Sequence, residues 1–462
     1  MLDVVIIGAG LSGLQAALSC KEAGLSLKVL EARDRVGGKT WSIPLKSGCG
    51  KMELGAAWIN PHKQHRVGRY ARHFNLHTVK QRVVGKAVMQ TKDGRRFEHP
   101  FGTTPGASEE ERKDLERVRD HISAISLKPA DLSQLEDDKA TVDEYVRNLD
   151  ALPSTLLMAN LWTQVMHGVE STEESAAFFM DYCRHVGGFP VIRADDETGG
   201  NYLRIIEGTL QIANGIAALL GHANIQLSSP VSSVKQQRQH VEVTTVEGRK
   251  ILARRCIMSI PSAMFRTIDI FPSLPKGFES IANASRLGDY TKVVVCYNTP
   301  WWREMGFNGI FNSFVGPVSS GRDTCIEETK TYCITCFVNG ENSRRWSRLS
   351  LEDRKNAILK QLASIFNVGP DHEVYRPLEV QEQIWKNEQY SHGALTPIPA
   401  LGHYTRHADV YGKSFQNMHF VGTEYSREWK GYMEGALCSG EQGAAEVIAL
   451  LKQTKALASA KL

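Results

Sequence analysis

The sequence lacks any apolar run long enough to cross a bilayer, any repeat and any low-complexity tract. A spanning helix needs about 20 consecutive apolar residues, so no membrane-spanning helix is expected. Charge of one sign is also lacking: 55 Lys plus Arg stand against 51 Asp plus Glu, a net of +4. No basic block stands out, so nucleic acid is not an expected partner and small molecules are. The amino terminus shows no basic segment followed by an apolar one, and no signal peptide is expected. Nine cysteines are scattered without a framework spacing. Cys333-Ile-Thr-Cys336 has no second CxxC to complete a zinc site, so no metal is expected. Its β-branched and aromatic surroundings, Thr331 to Val338, read as a strand. The cysteines are expected to be free, buried thiols, which suits a reducing compartment. The final residues, Ser459-Ala-Lys-Leu462, approximate a peroxisomal address. Peroxisome and cytoplasm are therefore both expected locations.

What is present begins with a strand, a glycine turn, a helix and a second strand: Asp3–Ile7, Gly8–Gly13, Leu14–Ala23 and Ser26–Leu30. So apolar a first strand is what a parallel sheet covered on both faces requires. Gly8-Ala-Gly10-Leu11-Ser12-Gly13 fits G-x-G-x-x-G, and it lies between a buried strand and an apolar helix. Gly8 permits a tight turn, Gly10 admits a pyrophosphate to the backbone, and Gly13 lets helix and strand pack closely. Unpaired N–H groups at the helix start then face phosphate. Glu31 closes the second strand, where a carboxylate accepts ribose hydroxyls and repels a 2′-phosphate. FAD or NAD is indicated and NADP is not.

Further along, Lys86–Thr91, Asp93-Gly94 and Arg96–His99 read as a hairpin. Ser108-Glu-Glu-Glu111 reads as a capping box opening a charged helix through Asp120. A helix-rich stretch to about residue 190 gives way to strands between Asn224 and Ile260. A strand-rich block from Lys292 and a helix over Leu351–Phe366 follow. A strand over Met418–Val421 and a helix from about Tyr432 to Leu451 complete the pattern. The fold class is α/β, with two domains built from separated segments. Residues 1–78, 212–286 and 386–452 form a Rossmann-type dinucleotide domain. Residues 79–211 and 287–385 form an interleaved α+β substrate domain, and 453–462 a tail.

The stretch Glu31-Ala32-Arg33-Asp-Arg-Val-Gly-Gly38-Lys39-Thr40 adds a second glycine pair with cations alongside. Here the chain resembles the flavin monoamine oxidase family, which has arginine where Lys39 stands; lysine keeps the charge but loses the bidentate fork. Glu53-Leu-Gly55-Ala56-Ala57-Trp58 is similar to the family segment under the flavin ring. Val231 matches the strand at the adenine, and Trp385 with Gln389–Gly393 matches the stretch before the flavin-linking position. Phe420–Glu424 and Trp429–Gly435 complete the likeness. The resemblance implies FAD as cofactor, with Gly422, Thr423, Glu424 and Met433 contributing to its site. Reduction places negative charge on the flavin pyrimidine, and a helix start near Met433 stabilises it by roughly 1 kcal/mol.

The implied reaction converts a primary amine and oxygen to an imine, then a carbonyl compound and ammonia, with hydrogen peroxide released. Lys292 resembles the family lysine that holds water near flavin N5, and Tyr432 one of two rings flanking the amine; Leu395 stands where the second ring would be. Gln211 resembles a glutamine lining the substrate cavity. Phe178, Phe179 and Tyr182 are expected to be core, with an entrance role as the alternative. The linking cysteine of animal relatives is replaced by Ala394, so FAD is expected to be non-covalent. Fungal-type amine oxidases with unlinked FAD, fumonisin-type enzymes included, are the nearest group by this reading. Polyamine oxidase, L-amino-acid oxidase and desaturase are alternatives on the same scaffold. For polyamines, Asp181, Asp195, Asp196 and Glu197 are the candidate carboxylates. A non-catalytic flavoprotein scaffold is the reading from another class, and no helical tower or basic tail supports it. A homo-oligomer is compatible with all of these.

Overall fold

The computed structural model describes residues 1–46, 50–128 and 138–459. The Ala-Lys-Leu terminus lies outside the described residues. Two large sheets organise the chain. The first runs in the order Ile225–Gln226, Leu27–Leu30, Leu2–Ile7, Lys250–Met258, Val241–Thr245, Val231–Gln236 and Asp269–Phe271. Met418–Phe420 pairs in parallel with the end of Lys250–Met258, Cys256 opposite Met418. Val4 to Ile7 are buried and β-branched, as a centrally placed parallel strand demands. The helix Leu11–Glu22 starts three residues earlier than its sequence pattern suggests, directly after Gly10. It shares a core with the last helix, Met433–Ser459, through Leu14, Ala17, Leu437 and Ala444.

The second sheet runs Glu379–Ile384, Tyr290–Tyr297, Tyr332–Asn339, Ser320–Asp323, Phe307–Ser313, Lys86–Gln90 and Arg96–Pro100. Side chains alternate across a strand, and Tyr290–Tyr297 uses this to serve two cores. Val293, Val295 and Tyr297 join Ile334, Cys336 and the helix Leu351–Phe366 on one face. Tyr290, Lys292, Val294 and Cys296 point to the other, where the first sheet and its loops approach. The helices Glu109–Leu127, Pro153–His167 and Ala176–Val186 pack as a separate layer around Trp162, Phe179 and Phe189. The first carries half of the expected capping box: Glu111 N–H donates to Ser108 Oγ at 3.1 Å, but the Glu111 carboxylate accepts from Ala107 N–H at 2.8 Å instead of from Ser108; the helix runs seven residues past Asp120.

The expectation that every cysteine is a free thiol is corrected. Cys296 and Cys333 stand opposite each other in the antiparallel ladder and form a disulfide. Their strands are far apart in sequence, so nothing local signals the pairing. Cys336, three residues on from Cys333 and therefore on the opposite face, is a buried thiol in the apolar core, as expected.

Candidate active site

Between the two sheets lies a cavity of about 610 Å³. Of the residues assigned in the sequence to the cofactor or to the monoamine reaction, only Gly13 and Gln211 do not line it. Gly13 acts from behind. A Cβ there would come within 2.1 Å of the Gly8 carbonyl oxygen, so only glycine lets the helix start meet the strand. At Gly10 an added Cβ would meet nothing within 4 Å. The open space above it, at the helix amino terminus, is where a pyrophosphate would sit.

Glu31 holds the turn from the side. Its carboxylate accepts from Ala9 N–H at 2.7 Å and from Arg33 N–H at 2.9 Å, leaving it facing the cavity. Arg33 Nε donates to Glu388 at 3.3 Å, while its Nη2 is buried with no partner. An orphaned guanidinium nitrogen beside an open glycine turn fits an anionic dinucleotide. Lys39 donates to the Leu395 carbonyl at 2.7 Å, and burial pushes its pKa down to about 8. Gly422, Thr423 and Met433 complete this end. Met433 is the first residue of a 27-residue helix, so the helix starts at the cavity wall, and first-turn N–H groups have no intrahelical partner. Glu424 is pushed above the usual carboxylate range by burial, against hydrogen bonds from Tyr411 and Ser262.

At the other end Lys292 is buried, 3% exposed, with Nζ donating to the Gly55 carbonyl at 2.6 Å. The rings of Trp58 and Phe337 lie 5.3 and 5.7 Å from it. Burial pushes its pKa down to about 8, partly opposed by the carboxylate of Glu53. Glu53 is fixed by Ser42 Oγ at 2.8 Å and Thr209 N–H at 2.6 Å.

Tyr432 and Leu395 both line the cavity. Leu395 has φ +65°, a left-handed conformation that costs a branched side chain about 1–2 kcal/mol. The neighbours of Tyr432 are Trp429, edge-on at 5.2 Å, and Tyr182, stacked at 6.5 Å. Tyr182 thus extends the wall of Tyr432 and lines the cavity, whereas Phe178 and Phe179 are core. Gln211 is the misplaced candidate. It sits in the first turn of the helix Leu210–Leu220 and accepts from Asn214 on the surface. Among the lining residues is another amide, Asn201, on the far side of the strand Leu203–Ile205. The four acidic candidates do not line the cavity either. Asp181 is paired with Lys430, Asp195 with Arg322, and Asp196 accepts from Thr198. Sequence reasoning missed Tyr290, Ser320, Arg322 and Phe337, whose only signal is the register of the second sheet.

A Rossmann-type cradle joined to an apolar chamber ending at a buried lysine defines a flavin-dependent oxidoreductase. The model of the family "Flavin containing amine oxidoreductase" matches residues 11–448, and the chain belongs to that family. It is 30% identical over 458 residues to amine oxidase [flavin-containing] B of Homo sapiens, covering 96% of this chain and 86% of that one. It is 28% identical to the probable flavin-containing monoamine oxidase A of Dictyostelium discoideum, covering 97% of each. Among solved structures, wild-type putrescine oxidase bound to putrescine superposes with TM-score 0.89 at 26% identity, covering 97% of this chain and 99% of that one. The chain is an FAD-dependent amine oxidase.

No cysteine lines the cavity among the described residues, and Ala394 carries no nucleophile. Acid or heat denaturation is expected to release all the flavin into the supernatant. Yellow colour retained on washed, precipitated protein would contradict this.

Proposed function

We propose that the substrate is a primary monoamine on an extended, largely apolar chain. One observation carries this reading. The charged groups lining the chamber near Lys292 and Tyr432 are cations, and both lining carboxylates, Glu31 and Glu424, belong to the nucleotide end. Nothing among the described residues offers a second ammonium an anionic seat, which sets this chamber against a diamine. Val165, Met166 and Ile192 supply apolar wall instead.

Bound FAD supplies the two-electron acceptor for the amine's α-carbon. The chain's own groups do the rest. The Tyr432 ring and the Leu395 side chain hold the neutral amine, and the dry wall favours its uncharged form. The ring is worth about 0.5–1 kcal/mol to a cationic amine on approach. Lys292 Nζ keeps one hydrogen on the Gly55 carbonyl and offers the others to oxygen as it gains charge. The amine becomes an imine and oxygen becomes hydrogen peroxide; water then splits the imine into a carbonyl compound and ammonia.

A peroxide-coupled screen over benzyl, linear alkyl, polyol-bearing and polyamine substrates tests this. Linear monoamines are expected to give the highest kcat/KM. A diamine turned over better than the monoamine of equal length would overturn the reading.

A further inference from the structure

The strand Ser320–Asp323 turns alternate side chains to the cavity, and these are Ser320 and Arg322. Lys292, Phe337 and Ser320 lie in one row across three neighbouring strands, and Arg322 stands opposite Thr335, two residues on. Strands lie about 4.8 Å apart and rise about 3.3 Å per residue. By that spacing the backbone at Arg322 is on the order of 12 Å from that at Lys292. The chamber therefore has a polar station well removed from its reacting end.

That station is more than a strut. Arg322 is 5% exposed; its Nε donates to Asp195 Oδ1 at 3.1 Å and its Nη1 to the Gly321 carbonyl at 2.9 Å. The bond to Asp195 ties the loop of residues 194–202 to the sheet, and the two bonds leave Nη2 uncommitted. Ser320 is fully buried, and its Oγ has no hydrogen-bond partner. Asn201, from the same loop as Asp195, brings an amide to the same cavity. An unpaired buried hydroxyl costs about 1–3 kcal/mol. A tie between loop and sheet needs neither it nor a free guanidinium edge. Asp195 is not among the cavity-lining residues, so what a ligand meets is the guanidinium and the hydroxyl.

We propose that Arg322, Ser320 and Asn201 form a subsite for a carboxylate carried at the far end of the amine substrate. The inference rests on the long-chain monoamine reading and names what its distal end bears. An α-amino acid is excluded, because its carboxylate sits on the reacting carbon and cannot span from Lys292 to Arg322. The subsite binds and positions; it takes no part in bond breaking.

The experiment compares ω-aminooctanoate with octylamine on the holoenzyme, by peroxide release and by anaerobic bleaching of the flavin. The wild type is expected to favour ω-aminooctanoate, mainly through a lower KM. In Ser320→Ala, and in Arg322→Gln combined with Asp195→Asn so that no charge is orphaned, the preference collapses. Loss of one charge-assisted hydrogen bond lowers the selectivity ratio about 10- to 100-fold. Ser320→Ala removes a single hydroxyl, so it decides the matter should the double variant lose its flavin. Octylamine equal to or better than ω-aminooctanoate in the wild type, or equal losses for both in the variants, would overturn the subsite alone. Bleaching by neither amine would overturn the monoamine reading together with it.

Discussion

Lys292→Met is expected to slow oxygen reduction by about 10²–10³, the usual loss when one preorganised electrostatic group is removed from a dry site. The ammonium is the single cation among the row Lys292, Phe337 and Ser320, and it is held by the Gly55 carbonyl between Trp58 and Phe337. Methionine fills similar volume and keeps the packing, so the loss reports charge. Mixing anaerobically reduced enzyme with oxygenated buffer in a stopped-flow instrument reads the step directly. The sign of the pH dependence follows from burial. Desolvation pushes Lys292 down to about 8, so the cation predominates below that value and disappears above it. Oxygen reduction by the wild type is therefore expected to fall as pH rises through about 8, and the methionine variant to show no such step. Unchanged oxygen kinetics in Lys292→Met would remove this residue from the mechanism.

Lys430→Met is expected to cost about 3–5 kcal/mol of stability, the price of breaking a buried ion pair from one side. Lys430 Nζ reaches Asp181 Oδ2 at 2.8 Å and the Tyr404 hydroxyl at 2.7 Å, with Asp181 fully buried. Burial pushes the Asp181 carboxyl up, but the Lys430 ammonium and the hydrogen bond from His185 outweigh it. They hold the group well below the usual carboxylate range. A depressed folded-state pKa contributes stability that is present above the unfolded value, about 3.9, and lost as pH falls through the folded one. Without Lys430 that loss sets in at higher pH, so the variant is also expected to be more acid-sensitive. Lys430 stands two residues before Tyr432, and its neighbour Trp429 packs edge-on to that ring. Chemical denaturation at several pH values checks both effects, and a shift below 1 kcal/mol would show that Arg184 and His185 suffice for Asp181.

Much of the nucleotide end was legible because its logic is local. Gly10, Gly13 and Glu31 lie within one strand–turn–helix–strand unit, so their spacing predicts the open turn and the carboxylate beside it. Lys292 was singled out by resemblance to the family lysine, and its burial agrees with the apolar run that follows it. The substrate end was not legible, because its walls are set by pairing between distant strands. Phe337, Ser320 and Arg322 reach one surface only through the ladder linking Tyr290–Tyr297, Tyr332–Asn339 and Ser320–Asp323. The same ladder brings Cys296 to Cys333. Gln211 and Asn201 are both amides flanking a short strand, and choosing between them needs the direction in which the chain turns after Ile205. Leu395 shows a further limit: its left-handed backbone follows closely on His392 and Gly393, both at positive φ, and no leucine advertises such a conformation.

The late position of Met418–Phe420 in the first sheet has a consequence for biosynthesis. Until that segment leaves the ribosome, the end of Lys250–Met258 that pairs with it presents an open edge. The helix Met433–Ser459, which supplies Leu437 and Ala444 to the core under the first helix, emerges later still. The glycine turn, translated well before both segments, thus waits for them before the cradle around FAD is complete. A nascent chain stalled before Met418 would be a colourless client for chaperones.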